Sequence, residues 1–256
     1  MLRRLLRPLA GRSAPLWRAV RSPALRHRTF ADPADTLFYA LSLDRPSPFV
    51  VCLGANDVGE GDPLLPFLRR RWRGLLVEPV PYVFRRLEQR FGGNGRLLLE
   101  NAAVAGATGT TIFHFVRESP DLPPGYDHLG SLSRPLLESH AEIVPELDGR
   151  IVHAAVPCFT FSDLLARHHI GAFDLLVMDL EGFDAAALRQ IDFRRHRPLL
   201  IMFEHIFMSD DERTASEALL RAAGYTVVRM EQDAAALRAD AGGALRRAWP
   251  LVGHGS

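Results

Sequence analysis

Polar residues able to grip a ligand or move a proton stand directly after five apolar segments of the chain. They are Gly54-Ala55-Asn56-Asp57, Glu78-Pro79, Glu100-Asn101-Ala102, Asp179-Leu180-Glu181-Gly182 and Glu204-His205. A glycine-rich turn after one strand, with an acid closing the next, is the arrangement that binds an adenosine. The turn lets the ligand pass close to backbone, and the acid takes the ribose hydroxyls. The later groups suit proton transfer, since a histidine or carboxylate within hydrogen-bond reach of a hydroxyl removes its proton. His205 is the first candidate base; Asp179 and Glu181 are the alternatives, or orient an acceptor. Their i, i+2 spacing, with His205 as a third ligand, also suits a divalent cation, but that reading is not favoured and no metal ligand is assigned. The plain structural reading of His205 is a side chain bonded to backbone at a strand end.

Two cofactor classes use the first arrangement, dinucleotides and S-adenosylmethionine. Here the run G-A-N-D-V-G places Asn56 where a dinucleotide fingerprint has its middle glycine, the residue that makes room for a pyrophosphate. S-adenosylmethionine has no phosphate and suits the substitution better. The chain also contains no lysine, which removes the P-loop lysine, the Schiff-base lysine and the Tyr-x-x-x-Lys pair. A nicotinamide-dependent oxidoreductase stays as an alternative, as does a non-catalytic binding protein of the same fold.

The elements that must position these residues follow from pattern. Phe49–Leu53, Gly74–Glu78, Leu97–Val104, Phe173–Met178, Leu199–Phe203 and Tyr225–Met230 read as strands, most of them continuous apolar runs buried on both faces. Thr110–Val116 alternates like a strand near an edge, and Val152–Phe159 is strand-like. Helices are expected after Asp62-Pro63 through Trp72, from Pro81 to the Gly92-Gly93 stop, from Thr160 to about His169, over Asp184–Ile191, and from the Ser209–Glu212 capping box to Ala223. Such alternation implies βαβ units: an α/β fold with a doubly wound, mostly parallel sheet in a single domain over residues 32–256. Residues 117–150, rich in Pro, Gly, Ser and charge, break the rhythm and read as a lid or acceptor-binding insertion, with Tyr126, His128 and Ser131 as residues that could touch an acceptor.

Composition narrows the partners. The 31 basic residues, all arginine, nearly balance 30 acidic ones, and no compact basic patch interleaved with aromatics stands out, so nucleic acid is not an expected partner. Cys52 and Cys158 lie in apolar runs and read as buried thiols of a reducing compartment, the cytoplasm. Residues 1–31 form a basic extension with an apolar run too broken for a membrane span; its acid-free, arginine-rich composition leaves an organellar matrix as the alternative location.

Taken in order, the segments VVCLGANDVGEGDPLLPFL, RGLLVEPVPYVFRRL, LENAAVAGATGTTIFHF, CFTFSDLL, FDLLVMDLEGFDAAALRQIDF and PLLIMFEH resemble the FkbM-type methyltransferases, from about Phe49 to about Ala236. The resemblance implies a class I methyltransferase fold with a seven-stranded sheet whose last strand is antiparallel. It implies S-adenosylmethionine as cofactor and O-methylation of a hydroxyl on a small molecule or sugar. By the same resemblance Gly54, Ala55 and Asn56 line the methionine part of the cofactor, Glu78 holds the ribose, and Asn101 and Ala102 flank the adenine. The chain departs from the pattern at Cys52, where an acid usually stands; Asp57 supplies a carboxylate from a different backbone position.

Overall fold

The computed structural model describes residues 33–120, 129–143, 147 and 149–252. Residues 1–31, Tyr126, His128 and the side chain of His140 lie outside the described residues. Of the segments expected to be strands, Phe49–Leu53 is β1, Arg73–Val77 β2, Leu175–Met178 β8, Leu200–Glu204 β9 and Tyr225–Arg229 β10. The stretch 97–104 divides into Leu97–Glu100 (β3) and Ala103–Val104 (β4). One further strand, Asp233–Arg238 (β11), was not expected from the sequence pattern; its run DAAALR has helix-forming composition, and pairing on both sides overrides it.

A seven-stranded sheet runs β10-β11-β9-β8-β1-β2-β3. The pairs β1–β2, β2–β3, β1–β8 and β8–β9 are parallel, whereas β11 is antiparallel to both neighbours. The chain winds outward from β1 to β2 and β3, then returns to place β8 on the other side of β1. The switch point therefore lies between β1 and β8, where ligands bind in open sheets of this kind.

Alternate residues of each strand enter two separate apolar layers. Val50, Cys52, Leu76, Leu200 and Met202 belong to one; Val51, Leu53, Leu75, Ile201 and Phe203 belong to the other. The first layer is covered by helices at Pro33–Asp44 (α1), Leu65–Leu68 (α2), Pro81–Phe91 (α3) and Gly243–Ala248 (α8). The second is covered by Phe161–Arg167 (α5), Asp184–Arg189 (α6) and Asp210–Ala222 (α7). Such two-sided cover is why the strands read as unbroken apolar runs. The helix expected up to Trp72 closes after α2, and Trp72 packs instead against Phe67 and Phe38. The Ser209 capping box is complete: Ser209 Oγ accepts from Glu212 N, and the Glu212 carboxylate accepts from Ser209 N.

The remaining strands leave the main sheet. Gly109–Val116 (β5), Gly130–Ser131 (β6) and Ile151–Phe159 (β7) join β4 in a four-stranded sheet of order β4-β7-β5-β6. This sheet packs on Val80, Tyr82 and Val83 beside the end of β2. Within the segment expected to be an insertion, β6 is followed by Arg134–Ile143 (α4).

The two ends of the described chain share one apolar layer and are tied by a carboxylate. Asp44, at the end of α1, accepts from Ala244 N (2.7 Å) and Leu245 N (2.9 Å) at the start of α8. Gly243 has φ +65°, and a Cβ there would collide with the Asp44 carboxylate. Replacing Asp44 with Ala leaves both N–H groups without their acceptor, and is expected to cost about 1–2 kcal/mol in urea unfolding. An unchanged midpoint would show that water serves α8 equally well.

Candidate active site

Where β1 ends, the backbone turns through the left-handed region: Gly54 has φ +75°, Asn56 +57° and Val58 +45°. For a β-branched residue such as Val58 this is a strained state, of the kind that concentrates at functional turns. Gly54 N and Ala55 N both donate to the Val77 carbonyl, at 3.0 and 2.9 Å, so the turn curls over the end of β2. A Cβ on Gly54 would fall on the carbonyl oxygen of Asp179, at the end of β8. The glycine thus allows the two turns to meet at the switch point.

Glu78 lies immediately beyond β2 and is held on both carboxylate oxygens. Oε2 accepts from Asn56 N and Oε1 from Val80 N, each at 2.8 Å. Its main chain is held as well, because Asn101 Nδ2 donates to the carbonyls of Glu78 (2.7 Å) and Pro79 (3.2 Å). Asn101 therefore holds Glu78 from behind and does not line the cleft, whereas Ala102 does. Glu78 is only 5% exposed. Burial pushes its carboxyl up to about 7, with the Asp179 and Asp57 charges adding to the rise and the two N–H donors opposing it.

The second turn, Asp179 to Gly182, faces the first across the switch point. Glu181 and Gly182 have φ of +47° and +92°. Asp184 Oδ2 accepts from Leu180 N, and the Ser131 hydroxyl donates to the Glu181 carbonyl at 2.7 Å. Ser131 is thereby committed to backbone, and α4 brings Leu136 against Gly182. Three buried carboxyls gather here: Glu181, Asp184 and Glu204. Burial raises all three well above the usual carboxylate range, and the neighbouring Asp179 charge raises them further. Oε2 of Glu181 and Oε2 of Glu204 have no hydrogen-bond partner.

His205 stands apart. Its Nε2 lies 3.1 Å from the Met230 carbonyl and so carries the proton, its main-chain N–H donates to Gln232, and its ring is not part of the cleft lining. Among the described residues no group of three or more histidine, cysteine or acidic side chains is arranged to hold a metal ion.

Between the two turns lies a cleft of about 350 Å³, within the range of small-molecule sites. Gly54, Ala55, Asn56, Asp57, Glu78, Asp179 and Glu181 line it, all expected from sequence. Cys52 lines it too, with its thiol pushed well up by burial and by Asp62, Asp179 and Glu78. Asp233 also lines it and was missed, as was Asp184, which holds the second turn through Leu180 N without lining the cleft. Asp184 opens α6, where an acid is explained by the helix dipole alone, and Asp233 begins the strand that composition hides.

The methyltransferase FkbM domain family matches residues 53–227. The chain belongs to that family. Methyltransferase chemistry thus replaces the nicotinamide alternative. No curated protein matches the sequence at a significant level. Among solved structures, an O-methyltransferase from Bacillus cereus in complex with SAH is 11% identical, covering 82% of this chain and 83% of that one at a TM-score of 0.42. A putative O-methyltransferase from Klebsiella pneumoniae is 16% identical over 92% of this chain and 94% of that one, TM-score 0.40. The precorrin-6y C5,15-methyltransferase from Geobacter metallireducens GS-15 is 12% identical over 80% and 87%, TM-score 0.39. No helix among the described residues is long and apolar enough to cross a membrane.

Gly54→Ala should be severe, since it combines a strained φ with a collision against backbone that cannot rotate away. We expect a loss of roughly 3 kcal/mol or more in denaturant unfolding. A wild-type midpoint would show that the two turns separate without cost.

Proposed function

We propose that this family member is an S-adenosylmethionine-dependent O-methyltransferase acting on a hydroxyl of a small molecule or sugar. The observation that carries the donor half is Glu78. Each of its oxygens already takes one backbone N–H, so each keeps a lone pair for one ribose hydroxyl. Gly54, Ala55 and Asn56 then lie along the methionine part, with Asp57 beside them, and Ala102 beside the adenine. Asn101 acts as a positioning residue through the main chain of Glu78. The donor supplies an electrophilic methyl on a sulfonium, so the work left to the protein is alignment, exclusion of water and removal of the acceptor's proton.

Asp179 suits that last task best. It is half-buried in the cleft wall, and its backbone is fixed against Gly54 at the switch point. With donor and acceptor bound, the Asp179 carboxylate would take the proton that the acceptor hydroxyl gives up on methylation. Glu181 is the second carboxylate in reach of the cleft. The His205 ring, occupied by the Met230 carbonyl, supports the fold at the end of β9 in this reading. The segment 117–150 contributes Gly130 and Leu132 to the cleft wall and ties Ser131 to Glu181, which supports its reading as an acceptor-side insertion. Two free, buried cysteines fit a reducing cytoplasm.

Calorimetric titration with S-adenosylhomocysteine tests the donor half, and Glu78→Ala should weaken binding by about 1–3 kcal/mol. The pH dependence has a definite sign. Ribose hydroxyls favour the ionised carboxylate, and the free protein's Glu78 titrates near 7, so affinity falls as pH drops through that value. Binding about tenfold weaker at pH 6 than at pH 8 is expected. Glu78→Gln should flatten that slope; a slope unchanged in the variant would assign it to another group. Asp179→Asn should lower methyl transfer by about 10²–10⁴-fold with donor affinity nearly kept, and normal turnover in that variant would remove Asp179 as the base.

A further inference from the structure

Every charged residue lining the cleft is an acid. Asp57, Glu60, Asp62, Glu78, Asp179, Glu181 and Asp233 are there, and no arginine or histidine joins them among the described residues, although the chain carries 31 arginines. The donor cannot account for all of this charge. Its ribose belongs at Glu78 and its cationic groups at the β1–β8 switch point. Asp233, in the lining at the start of β11, and Glu204, buried at the end of β9, extend the acidic side of the site from Glu181 away from the switch point. At about 4.8 Å per strand, Glu204 stands three strand positions, roughly 14 Å, from Glu78.

Glu181 also shows an unmet need. It is 6% exposed, lines the cleft and has a carboxylate oxygen with no partner; Glu204, 4% exposed, stands behind it in the same condition. A buried acceptor oxygen without a donor is destabilising, the more so when charged. An ammonium group brings three donors and a positive charge to such a place. Phe183 and Phe203, within two residues of these acids in sequence, line the same cleft and add aromatic faces suited to a cation. A phosphate or carboxylate there would meet only like charge.

Resting on the methyltransferase reading above, we propose that the methyl acceptor carries a protonated amine, which Glu181 binds with Glu204 behind it. The acceptor class is then an amino alcohol or amino sugar, with anionic acceptors excluded. The amine is an anchor, and the hydroxyl is presented to Asp179.

Three probes of matched shape test this on protein saturated with S-adenosylhomocysteine: trans-4-aminocyclohexanol, 1,4-cyclohexanediol and 4-hydroxycyclohexanecarboxylate. Calorimetry should show the amine at least about tenfold tighter than the diol, with the carboxylate weakest. In Glu181→Gln, whose folding is confirmed by its own S-adenosylhomocysteine binding, the amine-to-diol ratio should fall toward one. Equal binding of the three, no binding of the amine up to about 50 mM, or a ratio that survives Glu181→Gln would each overturn the acceptor assignment alone. If S-adenosylhomocysteine itself gives no heat, the donor reading has failed and the acceptor assignment falls with it.

Discussion

Two turns at the open end of the sheet can face each other only because Gly54 has no side chain. The Asp179 carbonyl occupies the place where a Cβ would be, so the backbone after β1 and the backbone after β8 are in contact. From that contact the rest follows in order. The first turn is pulled over β2 by the Val77 carbonyl and delivers Asn56 N to Glu78. The second turn is held by Asp184 at the Leu180 N–H and by Ser131 at the Glu181 carbonyl. Left-handed φ values at Asn56, Val58 and Glu181 record the strain of folding non-glycine residues into so narrow a space.

The price of this arrangement is a concentration of buried acid. Four carboxyls, Glu78, Glu181, Asp184 and Glu204, have their proton affinity raised, first by loss of water and then by one another or by Asp179. A chain selected only for stability would replace such groups with apolar residues of similar size. Their presence together at the switch point of a parallel sheet fits a site whose cationic ligands complete it. A cation bound there would relieve electrostatic repulsion as well as form contacts.

Much of this was legible in the chain because buried parallel strands leave a distinct signature. Phe49–Leu53 was bounded correctly from its apolar run, and the glycines and acids after the strands pointed to the cleft that is found. What was hidden had physical causes. Asp233–Arg238 is rich in alanine, and only its two antiparallel neighbours make it a strand. The stretch 97–104 read as one strand because a lone Asn101 between Glu100 and Ala102, with no Gly or Pro beside it, is a weak break in an apolar run, although the chain passes there from one sheet to the other. Asn101 gave no sign that its amide would serve the Glu78 backbone, since that bond joins residues distant in sequence. His205 has the right residue type at a strand end; only coordinates reveal that the Met230 carbonyl holds its ring.

The carboxylate of Asp44 has a consequence for how the chain matures. It belongs to the first described helix, yet its two acceptors are satisfied by the last, some 200 residues downstream. During synthesis the apolar layer under α1 therefore stays uncovered on one side until residues 243–248 have left the ribosome. Closure of so long a loop costs little more entropy than a shorter one, but it comes late and leaves sticky surface exposed in the meantime. Loss of the segment that carries α8 would thus leave the first helix with nothing to cap, and would loosen the footing of Ala34 and Phe38, through which that helix also reaches the cleft.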